Sequence, residues 1–170
     1  MPINPDDIII RPLEESDSIE ELTQLLHRGY KILADMGLKY LATYQDAETT
    51  RKRISHGECF VAEYRGRIIA TISFFMPGVI GGSPWLDRDD VCDFGQFAVD
   101  PDYQGNGIGT RMVAFVEDYA RSKGIPEICL DTSEKATHLI EWYRRLGYRF
   151  IEYVDWDITN YRSVILSKTL

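Results

Sequence analysis

Apolar and polar residues change period along the chain, and the changes mark out a run of short elements. Ile8–Ile10 is an apolar run closed by Arg11-Pro12, which suits a strand. Ser18 with Glu21 three residues on is a capping-box pattern. The helix it opens carries Ile19, Leu22, Leu25 and Leu26 on one face. Gly29 and Gly37 bracket a second short segment, Tyr30–Met36, of open shape. Asp46 predicts the N-cap of a helix ending at His56, with Gly57 at its C′ position. Two strands follow, Glu58–Tyr64 and Arg67–Phe75, and the Arg65-Gly66 pair between them suggests a hairpin turn.

Residues 76–90 carry Gly, Pro and Asp in the manner of a surface loop, and loops of this length are often functional. Val91–Val99 is the next strand. A helix from about Ile108 to Lys123 follows it, with Ile108, Met112, Phe115, Val116 and Tyr119 on one face. Arg111, Asp118, Arg121 and Ser122 lie on the other. Gly124 and Pro126 stop this helix. Glu127–Thr132 reads as a strand, and Ser133 is expected to cap a helix through Leu146, with Gly147 at C′. Tyr148–Val154 and Ser163–Lys168 are the closing strands. No repeat, low-complexity segment or linker interrupts the series, so the pattern predicts one α/β (α+β) domain over residues 1–170.

Composition narrows the class. With 170 residues, 44% hydrophobic and 27% charged, the chain suits one globular core. A net charge of −8 argues against nucleic acid as a partner, and it permits a cationic one such as an amine. No apolar run reaches the length of a membrane span, and MPINPDDIII lacks the regions of a signal peptide, so a cytoplasmic protein with no membrane partner is expected. Cys59, Cys92 and Cys129 are odd in number, far apart and set in apolar runs, as reduced core residues are. His27, His56 and His138 are equally scattered, and no metal-ligand spacing appears.

The candidate chemistry lies in Phe97–Thr110, FAVDPDYQGNGIGT, where a strand leads through a Pro-containing turn into Gly105, Gly107 and Gly109 and then a helix. Bare N–H groups at such a helix start attract anions. A P-loop would need Lys-Ser/Thr after its last glycine, and here Thr110-Arg111 follows Gly109. A dinucleotide fingerprint would need a third glycine where Thr110 stands, and it normally opens a domain. What remains is Gln104-Gly105-Asn106-Gly107-Ile108-Gly109, preceded by Phe97-Ala98-Val99-Asp100-Pro101. This stretch resembles the coenzyme A loop of the GNAT superfamily of N-acetyltransferases. Trp142-Tyr143-Arg144-Arg145-Leu146-Gly147-Tyr148 is similar to the family's Y-x-x-x-G-F/Y segment, and the order of elements matches over nearly the whole chain.

The resemblance implies a mixed, mostly antiparallel sheet of six to seven strands, splayed between strands 4 and 5 and flanked by about four helices. It implies acetyl-CoA as co-substrate and no metal. Backbone N–H groups from Gln104 through Asn106 and Ile108 to Thr110 would cradle the pyrophosphate. Phe97, Ala98 and Val99 would hold the pantetheine arm, an amide near Ala98 donating to the thioester oxygen. Tyr143 would protonate the departing thiolate. Helix periodicity alone places Tyr143 in the core beside Leu139, Ile140 and Leu146, and a tyrosine can do both.

Asp93 would be the general base, with Asp131 as rival, or water would relay the proton. Ala136 stands where many relatives carry a pantetheine-binding Asn, so that contact falls to Ser133 or His138, or to nothing. Gln104 also replaces a frequent Arg.

The acceptor, a small-molecule amine, an amino acid or a peptide N-terminus, would enter opposite coenzyme A. Tyr30, Tyr40, Tyr44, Phe74 and Trp85 are candidate walls, and Asp87, Asp89 and Asp90 candidate cation attractors. The family often forms homodimers, although no residue here shows one. A non-catalytic acyl-CoA sensor on the same fold is the alternative reading.

Overall fold

A computed structural model describes residues 3–170; Met1 and Pro2 lie outside the described residues. Seven strands pair into one sheet: β1 (Ile8–Pro12), β2 (Glu58–Tyr64), β3 (Arg67–Phe75), β4 (Val91–Val99), β5 (Glu127–Ser133), β6 (Arg149–Asp155) and β7 (Arg162–Thr169). Their order is β1-β2-β3-β4-β5-β7-β6, antiparallel throughout except for the parallel pair β4 and β5. The β2–β3 turn is tight because Arg65 (φ 50°) and Gly66 (φ 80°) both take the left-handed conformation that a two-residue hairpin of this hand requires.

Four helices cover the sheet: α1 (Ile19–Asp35), α2 (Ala47–Ile54), α3 (Ile108–Ser122) and α4 (Thr137–Arg145). Strand alternation sends successive β2 side chains to opposite faces. Cys59 and Val61 pack with Leu22 and Leu25 of α1. Phe60 and Ala62 join the larger core on the other face, with Met112 and Val116 of α3 and Tyr143 of α4. Each fully buried Leu, Ile or Phe in these layers contributes about 1.5–3 kcal/mol. All three cysteines are buried and free. Among the described residues no helix is long and apolar enough to cross a membrane.

Two local expectations are corrected. Gly29 does not break the first helix, and α1 runs unbroken to Asp35, absorbing the segment read separately as Tyr30–Met36. The glycine is there for close approach: a Cβ on it would sit 2.6 Å from the Cβ of Ala98 on β4. Ser133 does not cap α4. It ends β5 opposite Ser163, its N–H donates to the Tyr40 hydroxyl (2.9 Å), and its Oγ accepts from the Lys135 N–H (3.1 Å). Sheet pairing holds it back, so the helix starts at Thr137 after Ala136, with no side-chain cap.

The sheet is parted at its centre. β4 and β5 pair only over Val91–Asp93 and Glu127–Cys129. From Phe94 onward β4 has no strand on that side. Its pairing with β3 also slips: Thr71 faces Ala98 while Ser73 faces Gly95, so β4 carries one extra residue there. Gln96, at φ 45°, lies in this bulge, and bulges bend the strand that carries them.

Candidate active site

Where the two strands part, a cavity of about 850 Å³ opens. Tyr30 and Leu33 of α1 line it, as do Leu139 and Tyr143 of α4 from the opposite face, so the cavity passes through the sheet. Two ligands can therefore meet inside it from opposite sides.

The glycine loop forms part of its wall. Gly105 (φ 83°) and Gly107 (φ 74°) need the left-handed conformation, and Gly107 sits at the α3 N-cap with no side chain to bond the helix start. The N–H groups of Ile108, Gly109 and Thr110 are thus left for an anion, and the helix dipole adds to the attraction. Gln104, Gly105, Gly107, Ile108, Gly109 and Thr110 all belong to the lining. Asn106 does not; its side chain donates to the Tyr103 carbonyl (2.9 Å) and shapes the turn. Gln104 Nε2 likewise donates to the Val99 carbonyl (3.2 Å). Buried Asp100 anchors the stretch, accepting from the Asp102 N–H (3.0 Å) and from Arg28 (3.0 Å).

Phe97, Ala98 and Val99 line the cavity, and strand register sorts their main-chain groups. The Asp100 N–H donates to Ile69, and the same phase places Ala98 opposite Thr71 as a hydrogen-bonded pair. Ala98 therefore turns its main chain toward β3. Phe97 and Val99 turn theirs to the open edge.

Tyr143 is only 6% exposed, its ring packed against Trp142, Tyr148 and Phe94 at centroid distances of 5.0, 5.8 and 6.2 Å. It also lines the cavity. Burial first, then nearby Tyr30, Tyr40 and Asp131, push its pKa well above the usual phenol range, so it holds its proton. Asp93 is 6% exposed on β4 and lines the same cavity. Burial above all, and then the charge of Asp131, raise its pKa well above the ordinary carboxylate range, while the Cys129 thiol donates to it. Asp131 also lines the cavity and accepts from Trp156 Nε1 (3.0 Å). Its pKa is raised by burial, offset by Trp156 and by Arg53.

His138 is an exposed part of the lining, whereas Ser133 lies outside it. The family's Asn position, Ala136, is fully buried with Leu33 and Leu38. Of the expected acceptor walls, Tyr30 and Tyr40 line the cavity; Tyr44, Phe74 and Trp85 do not. The loop acids are used locally, Asp87 accepting from the Gly82 N–H and Asp90 pairing with Arg88. Residues that the sequence left unmarked complete the wall, among them Arg53, Gln96, Trp156 and Tyr161. Among the described residues no cluster suited to a metal ion occurs.

A family model described as Acetyltransferase (GNAT) family matches residues 19–148. The chain is 35% identical over 131 residues to S-(2-succino)cysteine N-acetyltransferase of Bacillus subtilis (strain 168), covering 76% of this chain and 77% of that protein. It is 27% identical over 162 residues to S-alkylcysteine N-acetyltransferase of the same organism, covering 91% and 85%. Among solved structures, a GNAT family acetyltransferase from Elizabethkingia anophelis with acetyl-CoA bound aligns with a TM-score of 0.68 at 21% identity, over 97% of this chain and 99% of that one. The matched span runs from the start of α1 through the parted strands, the glycine loop and Tyr143, and the chain accordingly belongs to the GNAT family of acetyltransferases.

Proposed function

We propose that the protein acetylates a primary amine by direct attack in a ternary complex, with Tyr143 as general acid and Asp93 as general base. One observation carries this reading: a single through-going cavity is lined at once by the anion-binding loop, the open β4 edge, Tyr143 and Asp93. Both substrates can then be held together, which replaces a bimolecular encounter by an oriented one. None of the three cysteines lines the cavity, and burial raises the pKa of each, that of Cys92 to about 12. A thiolate relay through an acetyl-cysteine is thus disfavoured.

The N–H groups of Ile108, Gly109 and Thr110 hold the pyrophosphate, and Phe97 and Val99 pair with the pantetheine arm. The Phe97 amide, rather than that of Ala98, donates to the thioester oxygen as it gains negative charge. The amine nitrogen forms the new C–N bond as the C–S bond breaks. Asp93 takes the proton lost by the amine, its raised pKa making it a stronger base once ionised. Tyr143 gives its proton to the departing sulfur.

Free-thiol release from acetyl-CoA, measured across a panel of amines, tests the reading. Tyr143→Phe is expected to lower turnover about 100-fold or more while leaving coenzyme A affinity unchanged. Full activity in that variant would remove the acid role.

A further inference from the structure

The cavity contains opposite charges that do not meet. Arg53, at the end of α2, is half-buried in its lining. Apart from Arg111, whose guanidinium donates to the Pro5 and Ile8 carbonyls, every other described arginine pairs with a carboxylate. Arg53 makes a single hydrogen bond, from one terminal nitrogen to Gln45 Oε1 (2.7 Å). A guanidinium has five N–H donors, so most of its capacity is unspent in a residue that lines the cavity. Burial lowers its pKa, a sign of the desolvation that a bound anion would offset.

A second donor is linked to it through Gln45. Gln45 is buried, and its orientation is set because Oε1 accepts from Arg53 while Nε2 donates to Thr50 Oγ1 (2.7 Å) and to Gln96 Oε1 (3.0 Å). Gln96 must therefore present its oxygen to Gln45, which turns its own Nε2 away. That nitrogen is buried without a partner, on a residue 4% exposed that lines the cavity. One rigid amide thus holds an unpaired cation at one end and an unsatisfied N–H donor at the other. Buried donors are rarely left unmade, and the planar fork of a guanidinium matches the two-oxygen geometry of a carboxylate.

The complementary charge is Asp131, which lines the same cavity and bonds Trp156 but forms no ion pair among the described residues. We propose, on the N-acetyltransferase reading above, that Arg53 and Gln96 form a carboxylate subsite and that the acceptor is a free α-amino acid, its ammonium held by Asp131. A zwitterion would satisfy both unpaired ends, whereas a plain amine would leave the guanidinium desolvated and alone. Exposed Val79, Ile80 and Ile158 also line the cavity and offer an apolar rim for the amino-acid side chain. The products are the N-acetyl amino acid and free coenzyme A thiol.

The test compares matched pairs under one thiol-release assay, with products identified by mass. Leucine, methionine and phenylalanine are each set against the amine left by decarboxylation and against the methyl ester. For at least one pair, kcat/KM for the amino acid is expected to exceed that of its amine about 100-fold. Arg53→Met is expected to abolish the preference with acetyl-CoA affinity unchanged, and Arg53→Lys to restore it in part. Equal or better turnover of amines and esters in every pair would overturn the carboxylate subsite and leave the acetyltransferase reading standing. Silence toward every amine, with acetyl-CoA still bound, would overturn that underlying reading and the subsite with it. The wild-type comparison stands even if the Arg53 variants fail to fold.

Discussion

Asp93 brings stability and the proposed chemistry into conflict in one side chain. Its carboxyl is buried on β4 with little beyond a thiol to stabilise the charge, so its folded pKa lies well above the value of about 3.9 of an unfolded chain. The stability linked to it is full below that unfolded value and is lost as pH rises toward the folded pKa. Asp93→Asn is therefore expected to raise the melting temperature at pH 7 by about 3–8 °C, with the gain closing near pH 4. The same variant is expected to lose about 100-fold in turnover and to flatten the rise of kcat/KM with pH. Melting curves at the two pH values and a pH–rate profile check both halves. A gain equal at both pH values would show that ionisation is not the cause.

At the scale of elements, the glycines divide into those the fold needs and those it does not. Gly29 lets α1 lie directly on β4, and any side chain there meets Ala98. Gly29→Ala is expected to cost about 1–3 kcal/mol and to raise KM for the acceptor, because Tyr30 moves with the helix. Gly109 is different. A Cβ there would make ordinary contacts, 3.5 Å from Trp142 and 3.6 Å from Phe97, and its φ lies outside the left-handed region. Alanine is also the better helix former by about 1 kcal/mol. Gly109→Ala is therefore expected to leave the melting temperature unchanged or slightly raised, while weakening acetyl-CoA binding by about 10-fold or more through steric approach to the ligand. Calorimetric titration with coenzyme A, beside thermal melts of both variants, separates the two roles.

The whole molecule is a sheet held together at one end of β4 and open at the other. A ligand that lies along the open edge adds pairing that the protein lacks, so its binding should report directly on global stability. At a concentration 100 times its dissociation constant, acetyl-CoA is expected to add about 2.7 kcal/mol, or roughly 5–11 °C in melting temperature. ATP and NAD should add far less, since neither supplies an arm for the Phe97 and Val99 edge. A comparable shift with either nucleotide would make the glycine loop a general phosphate site.

Much of the frame was legible in the chain because its causes are local. β2, β3 and β4 begin and end where turn residues bound apolar runs, and the Arg65-Gly66 turn and the Asp46 cap follow from short-range chemistry. The loop from Gln104 to Thr110 and the Tyr143 segment are contiguous motifs, so the family resemblance was readable without a fold. Gly29 was misread because its neighbour, Ala98, lies far along the chain. Ser133 was misread because Ser163 holds it in the sheet. Arg53, beside Arg51 and Lys52, looks like any basic helix end complementing a dipole. Its setting depends on Gln96 and Asp131, which only the folded chain brings to the same cavity, and on Gln45 packed behind it. The proposed donor side is thus written in contiguous residues whose motif is legible in the chain. The acceptor side arises from long-range packing, where burial and missing partners, rather than residue type, give a side chain its chemistry.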